Sequence, residues 1–156
     1  MRTTEVFELH KRPSIEQSKK LTNMYIDFER LIAELKKRDL PSEIAHAINQ
    51  QLDEINSFSG SNKDLIKFLR KAQLNILKLI EKELKLLPKN HYRNMWMAIG
   101  MAAFGIPFGV AFGASLGNMA FIAIGIPIGM AIGIGIGTGL DKKAFNRGNQ
   151  LDLEIK

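Results

Sequence analysis

The chain contains "GIPFGVAFG" at residues 105–113 and "GIPIGMAIG" at residues 125–133, two nearly identical phrases 20 residues apart. Aligned from Ala103 and Ala123, the two copies share 7 of 11 positions. Each copy has three glycines at four-residue spacing and a proline after the first glycine. Because four residues slightly exceed one helical turn, glycines at this spacing lie along one side of a helix. The repeat therefore predicts two helices that each carry a smooth glycine face.

An uncharged segment surrounds the repeat. The 47 residues from Asn94 to Leu140 include no Lys, Arg, Asp or Glu and hold 11 of the 13 glycines. A spanning helix needs about 20 apolar residues, so this segment suffices for two spans and a tight turn but not for three. We expect spans at about Met95–Leu116 and Met119–Leu140, which together form a transmembrane hairpin over residues 94–140.

Glycine is costly in a water-exposed helix, but in lipid it lets two backbones approach closely and gain dispersion contacts. Gly137 and Gly139 point to nearly opposite sides of the second span, since two residues turn a helix by about 200°. Close neighbours on two sides predict a homo-oligomer in addition to the hairpin. The predicted packing residues are Gly105, Gly109, Gly113 and Gly117 in the first span and Gly125, Gly129, Gly133, Gly135, Gly137 and Gly139 in the second.

The repeat also places one proline inside each span. A proline in a helix interior removes a hydrogen bond and kinks the axis. Pro107 lies 12 residues after Met95, and Pro127 lies 8 residues after Met119 on the return path. These 20 residues rise about 30 Å, close to the hydrocarbon thickness of a bilayer. We therefore predict kinks at Pro107 and Pro127 at about the same depth, as in a small inverted repeat.

Positive charges crowd both flanks of the uncharged segment, whereas the expected turn has none. The positive-inside rule then predicts a multi-pass protein of the cell (inner) membrane with both termini in the cytoplasm. The first 20 residues lack an apolar stretch, so we expect no cleaved signal peptide. The predicted interfacial anchors are Tyr92, Arg93, Trp96, Lys142 and Lys143. The other polar residues between Met95 and Leu140 are Ser115, Asn118 and Thr138, which predict either the turn or a pore mouth.

Residues 14–88 carry three amphipathic stripes, which predict a cytoplasmic three-helix bundle. Ser14 (with Gln17), Ser42, and Ser61 (with Asp64) are the expected N-caps. The third helix should run to about Leu87, before Pro88. Residues 1–13 read as an extended arm, and residues 141–156 read as a cytoplasmic tail. Alternating apolar residues in both ends are typical of short strands, which would pair with each other or with a neighbouring protomer; an unstructured polar tail is the alternative.

Several classes of function have no support in the sequence. There is no cysteine, which fits a reducing compartment. The three histidines are isolated, so no metal site is predicted. The glycines lack a phosphate-binding lysine motif and a ribose-binding acid, so no nucleotide cofactor is expected. No nucleophile with its base and no carboxylate pair is recognisable. We expect no catalytic residue, no enzyme activity, no cofactor and no nucleic-acid partner.

The stretch "GIPFGVAFGASLGNMAFIAIGIPIGMAIGIGIGTGLDKKA" (105–144), with "QLDLEI" (150–155), resembles the small bacterial two-span glycine-zipper membrane proteins. This resemblance implies a location in the lipid bilayer and close helix packing, and no particular activity. It covers about a third of the chain.

Two functions are compatible with these features. The first is an oligomeric channel or pore-forming component assembled through the glycine faces. The second is a membrane-anchored adaptor or immunity-type protein, in which residues 14–88 bind a protein partner and the hairpin only anchors it. The fold class expected in both cases is all-α.

Overall fold

The structure is a computed structural model that describes residues 8–10 and 18–155. Helices account for 78% of it and the described residues contain no strand, which confirms the all-α class. The chain divides into two compact units. The helical unit comprises the residues up to Leu86 together with Leu151–Ile155, and the apolar unit comprises Leu87–Gln150.

The helical unit contains α1 (Lys19–Lys36), α2 (Ser42–Ser57) and α3 (Asn62–Leu84). Both α1 and α2 pack against α3. The apolar stripes read from the sequence are the faces that these helices bury, because residues three and four apart share one side of a helix. The largest fully buried side chains are Leu21, Tyr25, Phe28, Leu31, Leu35, Ile48, Leu52, Ile55, Leu65, Leu69, Ile76 and Ile80.

The starts of these helices differ partly from the predicted caps. The hydroxyl of Ser61 accepts from the Asp64 N–H and donates to its carboxylate, so this cap is confirmed. Ser42 is the first residue of α2 and makes no cap bond, because the N-cap is Pro41. The described part of α1 begins after Ser18, whose hydroxyl accepts from the Leu21 N–H. The cap predicted at Ser14 lies outside the described residues.

The end of α3 comes three residues earlier than predicted. Lys85 adopts a left-handed conformation with φ 58°, and its N–H donates to the Ile80 and Glu81 carbonyls. The Leu86 N–H also donates to the Ile80 carbonyl, so carbonyls of the last turns of α3 find donors in this left-handed turn. This turn allows Leu86 to be buried in the core. Burial of an apolar side chain therefore ends the helix before Pro88.

The two chain ends do not form the predicted strands within the described residues. The Asn56 side chain bonds the backbone of residues 8–10, accepting from the His10 N–H and donating to the Glu8 carbonyl, both at 2.9 Å. At the other end, Leu151 and Leu153 are buried in the core of the helical unit. The rest of the predicted 1–13 arm lies outside the described residues.

The C-terminal segment is thus part of the helical core and not a free tail. The Asp152 N–H donates to the carboxylate of Glu34, a largely buried side chain that also pairs with Lys37. Leu151 is fully buried while Asp152 and Glu154 are exposed. The alternation that suggested a strand coincides with alternating burial of this segment, which lies in no strand among the described residues.

The apolar unit contains two long helices. The first apolar helix, His91–Ser115, consists of α4 (His91–Gly100), a π-helical turn (Met101–Gly105) and α5 (Ile106–Ser115). The second apolar helix, Met119–Asn146, consists of a 3₁₀ turn (Met119–Phe121) and α6 (Ile122–Asn146). The second helix extends six residues beyond the predicted end of the span at Leu140, so residues 141–146 are helical. The end of the span itself stays a prediction.

An isolated bridge closes the base of this unit. Leu87 and Gln150 form a parallel β-bridge, and the Leu87 N–H donates to the Asn149 carbonyl at 2.9 Å. At the other end, Leu116–Asn118 form the turn, in which Gly117 has φ 66°. A left-handed conformation of this kind favours glycine.

Candidate functional site: the glycine-lined contact of the two apolar helices

The two apolar helices pack antiparallel with their backbones in direct contact. A Cβ atom added at Gly125 would lie 2.7 Å from the Gly109 Cα, and one added at Gly129 would lie 2.6 Å from the Gly105 Cα. Ordinary van der Waals contact begins at about 3.4 Å, so neither position has room for a methyl group. The missing side chains are what permit this approach.

The contact continues along most of both helices. A Cβ at Gly109 would lie 2.6 Å from the Ile122 Cα, and one at Gly137 would lie 2.5 Å from the Arg93 Cα. Near the turn, a Cβ at Gly113 would lie 3.2 Å from the Met119 Cα. Seven predicted packing residues are buried in this contact: Gly105, Gly109, Gly113, Gly125, Gly129, Gly133 and Gly137.

An eighth glycine, Gly100, belongs to the same contact and was missed by the sequence reading. Its added Cβ would lie 2.9 Å from the Gly133 Cα. Gly100 precedes Gly105 by five residues, a spacing that would turn it away from the contact in a regular α-helix. The π-helical turn over Met101–Gly105 takes up the extra residue and returns Gly100 to the glycine face. The signal available in the sequence was one glycine out of the four-residue period, seven residues before Pro107.

The remaining three predicted packing glycines lie outside the contact. Gly117 is in the turn, and Gly135 and Gly139 lie on the exposed side of α6. A Cβ added at any of these three positions would meet nothing within 4 Å. One glycine face is therefore buried between the two helices, whereas Gly135 and Gly139 form a second glycine pair that is exposed.

The two prolines have different local structures. Pro107 follows the π-helical turn at the start of α5, whereas Pro127 lies inside the continuous α6. Gly105 lies against both Gly125 and Gly129, so Pro107 and Pro127 lie within about one turn of each other along the antiparallel pair. Their common depth in a membrane stays a prediction. The kinks themselves stay a prediction.

A buried carboxylate joins the base of the two helices. Asp141 of α6 is 7% exposed and accepts hydrogen bonds from the Tyr92 N–H at 3.0 Å and the Arg93 N–H at 2.9 Å. These two N–H groups are in the first turn of α4, where no residue of the same helix can accept them. The side chain of Asn90, the N-cap of α4, makes no capping hydrogen bond. Asp141 therefore caps the other helix, with a negative charge at its N-terminus.

The predicted anchors gather at this same end. Tyr92, Arg93 and Trp96 lie in the first two turns of α4, and Lys142 and Lys143 lie in the last two turns of α6. Asp141 was missed because a lone carboxylate beyond the uncharged segment looks like the first polar residue of a tail. Nothing in the local sequence shows which helix it caps.

The three polar residues of the uncharged segment are not brought together. Ser115 ends α5, and the Asn118 side chain accepts from the Ala120 N–H at 2.9 Å, so both are at the turn. Thr138 is exposed on α6, 20 residues from Asn118. At 1.5 Å per residue the separation is about 30 Å. They cannot form one polar ring within a single chain.

The rest of the surface of the apolar helices is apolar and uncovered. Both helices are long and apolar enough to cross a membrane. Yet only 22% of the most apolar stretch of the first helix and 17% of that of the second are buried. A contiguous exposed apolar surface of this extent is unusual for a protein surrounded by water. Its exposed large side chains include Phe104, Ile106, Phe108, Val110, Phe112, Ile124, Ile126, Ile128, Ile132 and Ile136.

The described residues include no group of three or more His, Cys, Asp or Glu side chains that could hold a metal ion. The chemistry of this site is helix association through backbone contact. Comparisons with protein-family models, with curated proteins and with solved structures gave no match. The function is therefore inferred from the geometry of this contact, from the exposed apolar surface around it, and from the exposed Gly135 and Gly139 on α6.

Proposed function

We propose that the two apolar helices are a transmembrane hairpin of glycine-zipper type. The main support is the exposed apolar surface that surrounds the backbone contact between the two helices. Lipid tails would cover the exposed Phe and Ile side chains, and the glycine face would hold the two spans together. The second helix, 28 residues long, rises about 42 Å. The excess over the hydrocarbon thickness of about 30 Å leaves Asp141 and the following lysines in the interfacial region.

Both ends of this hairpin belong on one side of the bilayer. Leu86, before the first helix, and Leu151, after the second, are core residues of the same helical unit. A single folded unit cannot be divided between two sides of a membrane. The positive charges on both flanks then favour the cytoplasmic side of the inner membrane.

The function that we infer is an oligomeric channel or pore-forming component. Its support is the open side of α6, where Ala131, Gly135, Thr138 and Gly139 are all exposed. At about 100° per residue these four positions fall within a sector of about 100°. Gly135 and Gly139 form a small-xxx-small pair, the pattern by which membrane helices dimerise closely. A second copy of the chain would bring Thr138 and the helix backbone to the contact.

Ion flux through liposomes containing the purified full chain tests this function. Gly135→Leu fills the open face without touching the hairpin contact, since its Cβ meets nothing within 4 Å. Wild-type protein should conduct and migrate as an oligomer, and Gly135→Leu should lose both properties while it stays inserted. Ile136→Leu, at the neighbouring exposed position, is the matched control and should behave as wild type. A monomer in both detergent and lipid would refute the oligomer.

The alternative is a membrane-anchored adaptor or immunity-type protein. It is favoured by the observation that the main glycine face is used within the chain, as a plain anchor requires. It would hold the helical unit at the bilayer through both Leu86 and Leu151. A tight bilayer under voltage and osmotic stress, with the oligomer present or absent, would favour this adaptor. Cross-linking from residues 18–86 in cells would then identify the partner.

A further inference from the structure

One side of α3 carries a dense row of cations. All of these cations are exposed, and few acidic residues lie among them. At about 100° per residue they fall within a sector of about 120°, opposite the buried stripe that includes Leu65, Leu69 and Ile76. From the first to the last, the row is about 29 Å long. We call this surface the basic face; its cations are Lys63, Lys67, Arg70, Lys71, Lys78 and Lys82.

An apolar side chain lies in the middle of the basic face. Leu74 is 50% exposed, and among the described residues of the helical unit it is the most exposed large hydrophobic side chain. Its angular position is inside the cationic sector, between Arg70 and Lys78 along the helix. An apolar side chain among cations is the combination that interfacial helices present to a membrane.

Most of these cations form no ion pair with another described residue. Within the described part of the chain, Lys67 pairs with Asp64 at 3.8 Å and Lys82 pairs with Glu83 at 3.1 Å. No ion pair is formed there by Lys63, Arg70, Lys71 or Lys78.

The neighbouring α2 has the opposite character. Its charged residues are Glu43, Asp53 and Glu54, and it has no Lys or Arg. Because α2 has no Lys or Arg, it serves as a comparison surface for the basic face.

We propose that the basic face of α3 binds the anionic surface of the bilayer, with Leu74 entering the headgroup region. This inference rests on the proposed membrane hairpin, because only six residues separate Leu84 from His91. Six residues reach at most about 20 Å, so α3 ends close to the membrane surface. Clusters of four to eight cations next to a span are attracted by anionic lipid, and an apolar residue among them adds burial at the interface.

The basic face has no aromatic side chain in its cationic sector. Single-stranded nucleic acid is usually held by aromatic stacking between cations. A row of cations with one central leucine fits a lipid surface better. Binding of single-stranded nucleic acid is therefore the alternative that the experiment must exclude.

A single fluorescent label tests the proposal, because the chain has no cysteine of its own. Leu74→Cys is labelled with an environment-sensitive dye, and the full chain is reconstituted in bilayers of phosphatidylcholine with and without phosphatidylglycerol. We expect a shift to shorter emission wavelength with the anionic lipid and a fall by about half in quenching by neutral acrylamide, because the membrane covers one side of the helix. Raising the salt from about 0.1 M to about 1 M shortens the Debye length from about 10 Å to about 3 Å and should reverse most of the shift.

Two controls make the result specific. A dye at Glu54→Cys on α2 should respond equally in both bilayers. The combined Lys67→Gln, Lys71→Gln and Lys78→Gln changes, all at exposed positions, should abolish most of the Leu74 response while leaving the helical circular dichroism unchanged. The proposal is overturned if the label is indifferent to phosphatidylglycerol, or if the glutamine variant responds as wild type does.

Resistance to carbonate extraction separates this inference from the membrane hairpin. An inserted chain whose Leu74 label ignores the anionic lipid would refute the basic-face proposal and leave the hairpin standing. A chain that fails to insert but whose label still responds would refute the hairpin and support the basic face as a peripheral membrane site. A response to single-stranded DNA in neutral bilayers, without one to phosphatidylglycerol, would overturn the basic-face proposal.

Discussion

Replacing Gly129 by alanine should weaken the contact between the two apolar helices by about 1–3 kcal/mol, the usual cost of overpacking a close contact. The added Cβ would lie 2.6 Å from the Gly105 Cα. The obstacle is backbone, so no flexible side chain can move aside. To restore an ordinary contact of 3.4–4 Å, the helices must separate locally by about 1 Å. A gap of that size forfeits a quarter to a half of each facing dispersion contact.

The matched control is Gly135→Ala, six residues further along the same helix. Its Cβ meets nothing within 4 Å. Alanine improves helix propensity by up to about 1 kcal/mol at both positions, so this gain cancels when the two variants are compared. The difference between them isolates the steric cost at the contact.

Unfolding in mild detergent titrated with sodium dodecyl sulfate measures this difference. Trp96 is the only tryptophan, and its carbonyl lies against Gly133 in the helix contact, so its fluorescence reports on the pairing of the helices. We expect Gly129→Ala to unfold at lower dodecyl sulfate than Gly135→Ala. Free energies of unfolding that agree within about 0.3 kcal/mol would refute the claim that backbone contact at the glycine face holds the pair together.

Three further predictions concern local contacts. Asp141→Ala leaves two N–H groups of α4 without their acceptor and should cost about 1–2 kcal/mol in the same detergent titration, an unchanged midpoint being the contrary result. Leu151→Ala should destabilise the helical unit by about 2–5 kcal/mol in thermal circular dichroism, whereas the exposed Glu154→Ala should change it by less than about 0.5 kcal/mol; equal effects would contradict the docking of this segment. Ser61→Ala should lower the thermal stability by about 1 kcal/mol and Ser42→Ala by much less, because only the first side chain caps a helix; the reverse order would contradict the assigned helix starts.

The helices themselves were readable from local sequence. Apolar residues three and four apart mark the buried sides of α1, α2 and α3, because that spacing returns to one side of a helix within a single turn. The glycine face was readable for the same reason. A period of four in the repeat aligns Gly125, Gly129 and Gly133 in any α-helix, whatever surrounds it.

One error was local, at the start of α2, and the others occurred where one element depends on another. Ser42 has a favourable cap identity, but Pro41 takes the N-cap position. The end of α3 is set by burial of Leu86, which needs the core that the other helices build. Leu151 and Leu153 alternate with polar residues as a strand would, and the groove that receives them exists only after α1 to α3 have packed.

By itself, the sequence determined that this chain has three amphipathic helices and two long apolar ones with glycines in phase. These are properties of spacing and composition within a few turns of backbone. Only the tertiary structure decided that Gly100 joins the glycine face through a π-helical turn, that Asp141 caps the opposite helix, and that Gly135 and Gly139 remain open. Those outcomes depend on which backbone lies within a few ångströms of another, and residues some 30–50 positions apart in the chain carry no local pattern that records it.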